Sequence, residues 1–188
     1  HSAILAQGDS WFSVGAFPPQ FTSNIPLQLS LSQSAVVVDC ARPGHVLQHM
    51  TSTTSDAMFL RLLRGPLARK WHAIMVSGGG NDLIDAVGVP ATAPANQRLL
   101  AAPAERPALP SSMDDYISNT GWAVFEAHIG QVFDQLVAER NAGQNRRTPM
   151  LFHTYAHLVP RPSGAGLGFG PWLQPWLLHY GVPMVDWA

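Results

Sequence analysis

Four short apolar runs punctuate the chain, and most of them stop at a glycine-bearing turn. Ala3 to Gln7 leads into Gly8-Asp9-Ser10, and the valine-rich run Ala35 to Cys40 leads into Ala41-Arg42-Pro43-Gly44. His72 to Val76 leads into Ser77-Gly78-Gly79-Gly80-Asn81-Asp82, and Pro149 to Tyr155 forms the fourth. Short apolar runs without polar alternation are the pattern of parallel strands buried on both faces. Helical spacing lies between them. Trp122, Phe125, Ile129, Val132, Phe133 and Leu136 recur mostly three and four apart, with Arg140 and then Gly143 as end signals. Val46 to Met50 and Met58 to Leu63 carry a weaker helical pattern, interrupted by Thr51 to Ser55. Strands alternating with helices predict an α/β fold, with a mostly parallel sheet, right-handed crossovers and helices on both faces. Two stretches lack periodicity. Residues 87–112 are rich in Ala and Pro and include Gln97, Arg98, Glu105 and Arg106. They read as a lid-like surface insertion with a short helix near Gln97 to Ala102. Val159 to Pro175 reads as an irregular loop.

At 188 residues the chain reads as one domain spanning 1–188, long enough to bury a core. Charged residues make up only 12%, about half the usual share, and the net charge is −1. No basic field is present to hold a phosphate backbone, so nucleic acid is excluded as a partner. Cys40 is the only cysteine, which removes an intramolecular disulfide and a cysteine-rich zinc site. No apolar run reaches the roughly 18 residues of a membrane span, and no export signal is visible. These points lean slightly to a cytoplasmic location.

In open α/β sheets ligands bind beyond the carboxyl ends of the strands. Ser10, Gly44 and Asn81 each follow an expected strand. A serine hydroxyl there can attack a carbonyl once a base removes its proton. The oxyanion that forms needs donors about 2.7–3.1 Å away. The backbone N–H groups of Ser10 and Gly44 and the side-chain amide of Asn81 are such donors. Asp9 and Asp82 read instead as hydrogen-bond acceptors that stabilise their turns.

This set of blocks resembles the first three motifs of the SGNH, or GDSL, hydrolases: Gly8-Asp9-Ser10 near the amino terminus, Gly44 after the second strand and Gly79-Gly80-Asn81-Asp82 after the third. The likeness covers roughly residues 3–155. Trp11 replaces the leucine of the name-giving motif, a variation of one subgroup. His153-x-Tyr155 and Gly170-Pro-Trp-Leu173 are also similar to that subgroup. The resemblance implies a three-layer α/β/α, flavodoxin-like fold. It implies Ser10 as nucleophile, and Gly44 and Asn81 as oxyanion-hole residues. It implies hydrolysis of a carboxylic ester, as by an esterase or lipase, on a small-molecule substrate without metal or cofactor.

The family's fourth block, Asp-x-x-His, which supplies the catalytic base, does not occur in the sequence. Asp186 lies two residues before the last position. The chain therefore reads as truncated before its last sheet elements. His45, His153 and His157 are the candidates to replace the base. Without one, an oxyanion hole and substrate binding retain about 10³–10⁴ over water.

Other patterns have blander readings. His153 and His157 are spaced for a metal on a helix, but His153 falls at a strand end and no third ligand is evident. Gly164, Gly166, Gly168 and Gly170 lack the residues that complete a phosphate loop. Trp172 and Trp176 read as packing or as part of an apolar acyl pocket. Two alternatives to catalysis stand beside the hydrolase. One is a non-catalytic binding module on the same scaffold. The other is an assembly module whose open sheet edge pairs with a second copy, giving an oligomer.

Overall fold

A computed structural model describes residues 1–14, 24–153, 155, 159–162, 164 and 170–186. The chain divides into two compact units: His1–Asn81 with Ile129–Thr154, and Asp82–His128 with Tyr155–Ala188.

The first unit is built on a sheet of β1 (Ser2–Gln7), β2 (Ala35–Asp39), β3 (Ala73–Val76) and β4 (Met150–Phe152). The order is β2-β1-β3-β4 and every pairing is parallel. All four expected strands are therefore present. The α/β class and the parallel sheet follow the sequence pattern, and the arrangement is compatible with a flavodoxin-like fold. Side chains alternate across the strands, because successive residues point to opposite faces. Leu5, Ile74 and Val76 enter one buried cluster, and Ile4, Ala6 and Met75 enter another.

The larger cluster also takes Leu47 and Met50 from α3 (Leu47–Met50). It adds Phe59, Leu60 and Leu63 from α4 (Ala57–Leu63). Val132 and Leu136 of the long helix numbered α6 below, together with Trp71, complete it. On the other face Phe12 of α1 (Ser10–Ser13) is buried, and Ile25 of α2 (Ile25–Gln28) packs beside it. Burying a side chain of this size stabilises the fold by about 1.5–3 kcal/mol. Both short helices at 47–50 and 57–63 lie where the weak pattern put them. The break between them ends at Asp56, whose side chain caps α4 by accepting from the Phe59 N–H.

α5 (Gly80–Val87) and α6 (Asn119–Asn141) follow. Arg140 lies in the last turn of α6, as expected. Ser118 caps its start, its Oγ accepting from the Gly121 N–H at 3.3 Å. No described helix is long and apolar enough to cross a membrane.

In the second unit Val87, Leu99, Leu100, Tyr116, Tyr180 and Val182 form a core. Tyr180 neighbours the end of α7 (Gln174–His179), and its hydroxyl donates to the Val89 carbonyl at 2.6 Å. Within residues 87–112, the stretch Arg98 to Ala101 departs from the surface insertion expected. Arg98 to Ala101 are buried, and Leu100 pairs antiparallel with Ile117. The helix expected near 97–102 is extended chain between tight turns at Ala95–Gln97 and Pro103–Glu105. The buried Arg98 guanidinium is satisfied by the Ala93 carbonyl at 2.9 Å, the Leu100 carbonyl at 2.8 Å and the Glu105 carboxylate.

That extended segment runs close under the start of α6. A Cβ added at Gly121 would lie 1.8 Å from the Arg98 carbonyl oxygen and 2.8 Å from that of Ala95. Both obstacles are backbone. Gly121→Ala is therefore expected to destabilise the second unit by about 3 kcal/mol, the upper end for overpacking. A lowered thermal transition in calorimetry checks this, and an unchanged one would contradict the packing described.

Candidate functional site

The site lies at the carboxyl ends of the strands of the first unit. From β1 the chain moves to β2 on one side, and from β3 it moves to β4 on the other. The connections leaving the adjacent strands β1 and β3 therefore diverge. Such a switch point opens a crevice at the strand ends. Ser10 follows β1 and Asn81 follows β3, so the two flank that point.

Ser10 opens α1 and is half-buried. Asp9 caps this helix, its Oδ1 accepting from the Trp11 N–H at 3.0 Å. Among the described residues no hydrogen bond engages the Ser10 hydroxyl. The cap holds the serine backbone while its side chain stays uncommitted.

Gly44 sits in a tight turn. The His45 N–H donates to the Arg42 carbonyl at 3.3 Å, closing the turn with Pro43 and Gly44 at its centre. Gly44 has φ +76, the left-handed region that a glycine enters without strain. The turn is tied to the loop that carries Ser10, because the Arg42 N–H donates to the Gly8 carbonyl at 2.9 Å.

Asn81 lies in the first turn of α5, and its Nδ2 donates to the His45 carbonyl at 2.9 Å. This bond brings the Asn81 amide to the carbonyl of the residue that follows Gly44. An amide nitrogen has two protons, so one remains for another acceptor. Asp82, beside it, is buried within the same turn.

Two polar chains run beneath these residues, and sequence reasoning found neither. In the first, the Ser77 hydroxyl donates to Asp9 Oδ1 at 2.8 Å and lies 2.6 Å from His153 Nε2. A hydroxyl has one proton, and this one goes to the carboxylate. His153 Nε2 must then donate to Ser77. The His153 ring also lies against Trp11 and Phe12, with centroids 6.2 and 5.8 Å apart. His153 thus locks the loops after β1, β3 and β4 together, and its Nε2 is occupied. His157, the other candidate from that segment, lies outside the described residues.

In the second chain, Gln7 Oε1 accepts from the Gly8 N–H at 2.7 Å, while Gln7 Nε2 donates to Asp56 Oδ2. His45 Nδ1 stands 3.7 Å from the same Asp56 oxygen. That nitrogen is buried and has no hydrogen-bond partner among the described residues. Burial pushes the His45 imidazole below its ordinary value, against the opposing pull of the Asp56 carboxylate. The net effect favours the neutral ring. Cys40, in contrast, is pushed up to about 11 by burial and by the charges of Asp56 and Asp39, which leaves its thiol unreactive near neutrality.

The chain matches no family model, no curated protein and no solved structure. The account of function therefore rests on its own residues.

Proposed function

We propose that the chain is a serine hydrolase of SGNH type, with the three-layer α/β/α fold of that class, acting on a carboxylic ester of a small molecule. Ser10 attacks the ester carbonyl and forms an acyl-enzyme, which water then releases. The Ser10 and Gly44 N–H groups and the Asn81 amide stabilise the oxyanion. The bond from Asn81 to the His45 carbonyl is the observation that carries this reading. It ties two of the oxyanion donors, on loops from different strands, into one arrangement beside the nucleophile loop. The uncommitted Ser10 hydroxyl at the switch point supports it further. No group in the mechanism requires a metal or cofactor.

Hydrolysis of p-nitrophenyl acetate by the chain, beside Ser10→Ala, tests the reading. Turnover that disappears in the variant is the expected result, and turnover that survives would overturn it. Asn81→Ala is expected to lower kcat about 10²–10³-fold, as loss of one oxyanion donor does elsewhere, with KM little changed. A purely structural Asn81 would instead lower the melting temperature and leave kcat near its starting value.

A further inference from the structure

Resting on the hydrolase reading, we infer that His153 is a positioning residue for Ser10. Through the Ser77 hydroxyl it fixes the Asp9 carboxylate, and Asp9 holds the backbone on both sides of the nucleophile. α1 has only four residues, and a helix that short does not stand on its own. Asp9 supplies what holds it. Its Oδ1 accepts from the Trp11 N–H at 3.0 Å. Its carbonyl accepts from the Phe12 and Ser13 N–H groups, each at 3.2 Å, and from the Ser13 hydroxyl at 2.8 Å. Ser10 lies between the residue that accepts these bonds and the first residue that donates. The directions of its N–H and of its side chain therefore follow Asp9.

The Asp9 carboxylate is buried and needs protein partners of its own. The Ser77 hydroxyl donates to it at 2.8 Å. Ser77 is fully buried, and its N–H donates to the Gln7 carbonyl at 3.0 Å. The ends of β1 and β3 come this close because position 8 is glycine. A Cβ there would lie 2.8 Å from the Ser77 Cβ and 3.0 Å from the Ser77 carbonyl oxygen. A serine hydroxyl rotates, and its proton can point to any acceptor within reach. His153 removes that freedom. Its Nε2 lies 2.6 Å from Ser77 Oγ and donates to it, which leaves the Ser77 proton to Asp9. The His153 ring also packs against Trp11 and Phe12. One residue thus reaches α1 by two routes, through the polar chain to its cap and through the ring to its side chains. All of these residues belong to the same compact unit.

Both tasks assigned to Ser10, the N–H in the oxyanion hole and the attacking hydroxyl, depend on this cap. A misplacement on the order of 1 Å lowers a rate by up to about 10²-fold. His153 Nε2 is occupied by Ser77, so His153 acts through other groups and touches no reacting atom. Its removal is felt in kcat rather than in substrate affinity.

The test separates the two routes on p-nitrophenyl acetate, with a thermal melt on each sample so that rates refer to folded protein. His153→Phe keeps a ring against Trp11 and Phe12 and removes the donor. His153→Gln supplies an amide donor in the place of Nε2 and removes the ring. Ser77→Ala cuts the chain between His153 and Asp9, and carries the same comparison if the ring variant does not fold. The expected result is a kcat lowered about 10–10²-fold in His153→Phe and in Ser77→Ala, with KM little changed. His153→Gln should recover most of the loss. The double variant His153→Phe with Ser77→Ala should fall no further than Ser77→Ala alone, because the two residues act in one chain. A parental kcat in His153→Phe or Ser77→Ala, losses that multiply in the double variant, or a His153→Gln as impaired as His153→Phe would each overturn the inference. With turnover still dependent on Ser10, each of these leaves the hydrolase reading standing. Turnover that is absent, or that survives in Ser10→Ala, would overturn both.

Discussion

Ser10→Ala is expected to reduce ester turnover to the small residual that the oxyanion donors and substrate binding supply, while leaving the melting temperature within a degree or two of the parent. Loss of the nucleophile from a complete serine triad costs on the order of 10⁶ in kcat. Among the described residues, the other serines beside β1 and β3 cannot take its place. Ser77 is fully buried and its proton is committed to Asp9. Ser13 donates its hydroxyl to the Asp9 carbonyl at 2.8 Å. The structural cost is small for a definite reason. The Ser10 hydroxyl makes no hydrogen bond among the described residues, and the helix cap belongs to Asp9. Surface-like substitutions of this kind usually change stability by less than about 0.5 kcal/mol. Steady-state kinetics and a thermal melt on the same samples separate the two effects. A large loss of stability would mean that Ser10 holds the loop rather than attacks.

Asn145→Ala is expected to have the opposite profile, with the largest loss of stability among single polar substitutions. Asn145 is fully buried. Its Oδ1 accepts from the Trp71 N–H at 2.9 Å and from the Thr148 hydroxyl at 3.2 Å. Its Nδ2 donates to the carbonyls of Leu63 and Arg69 at 2.8 and 2.9 Å. One side chain thus joins the end of α4, the entry to β3 and the entry to β4. Alanine leaves a buried N–H and two carbonyls without partners, at about 1–3 kcal/mol each. The sum, on the order of 4 kcal/mol, is a large part of the 5–15 kcal/mol that holds a domain together. Urea unfolding should show a midpoint shifted strongly downward with little change in slope. A small shift would mean that water enters and satisfies the exposed groups. Because β3 and β4 carry Ser77 and His153 at their ends, activity should fall with the folded fraction rather than ahead of it.

The sequence and the structure agree where local chemistry decides. Valine-rich and isoleucine-bearing runs such as Ala35–Asp39 and Ala73–Val76 have few alternatives to a strand, although β2, unlike β3, leaves Val36 exposed. The glycine-bearing ends of these runs made Ser10, Gly44 and Asn81 visible as candidates. The Asn81–His45 bond was not visible, because it joins residues 36 positions apart through a sheet order that spacing does not encode. Asp56 was hidden for another reason. It follows the polar stretch Thr51 to Ser55 and caps α4 with one oxygen, while its second oxygen serves Gln7 and faces His45. Gln7 itself reads as the polar end of a strand. Residues 87–112 misled through composition. Alanine and proline suggest a solvent loop, but Arg98 satisfies its charge internally and lets Leu99 and Leu100 enter the core.

Reaction with a fluorophosphonate, followed by intact-mass measurement, shows whether Ser10 is an activated nucleophile. Such a reagent forms a stable bond only to a serine made nucleophilic by its surroundings. The account predicts a single adduct per chain, located on the peptide containing Ser10 and absent from Ser10→Ala. An adduct on another residue, or none after prolonged exposure of folded protein, would contradict it.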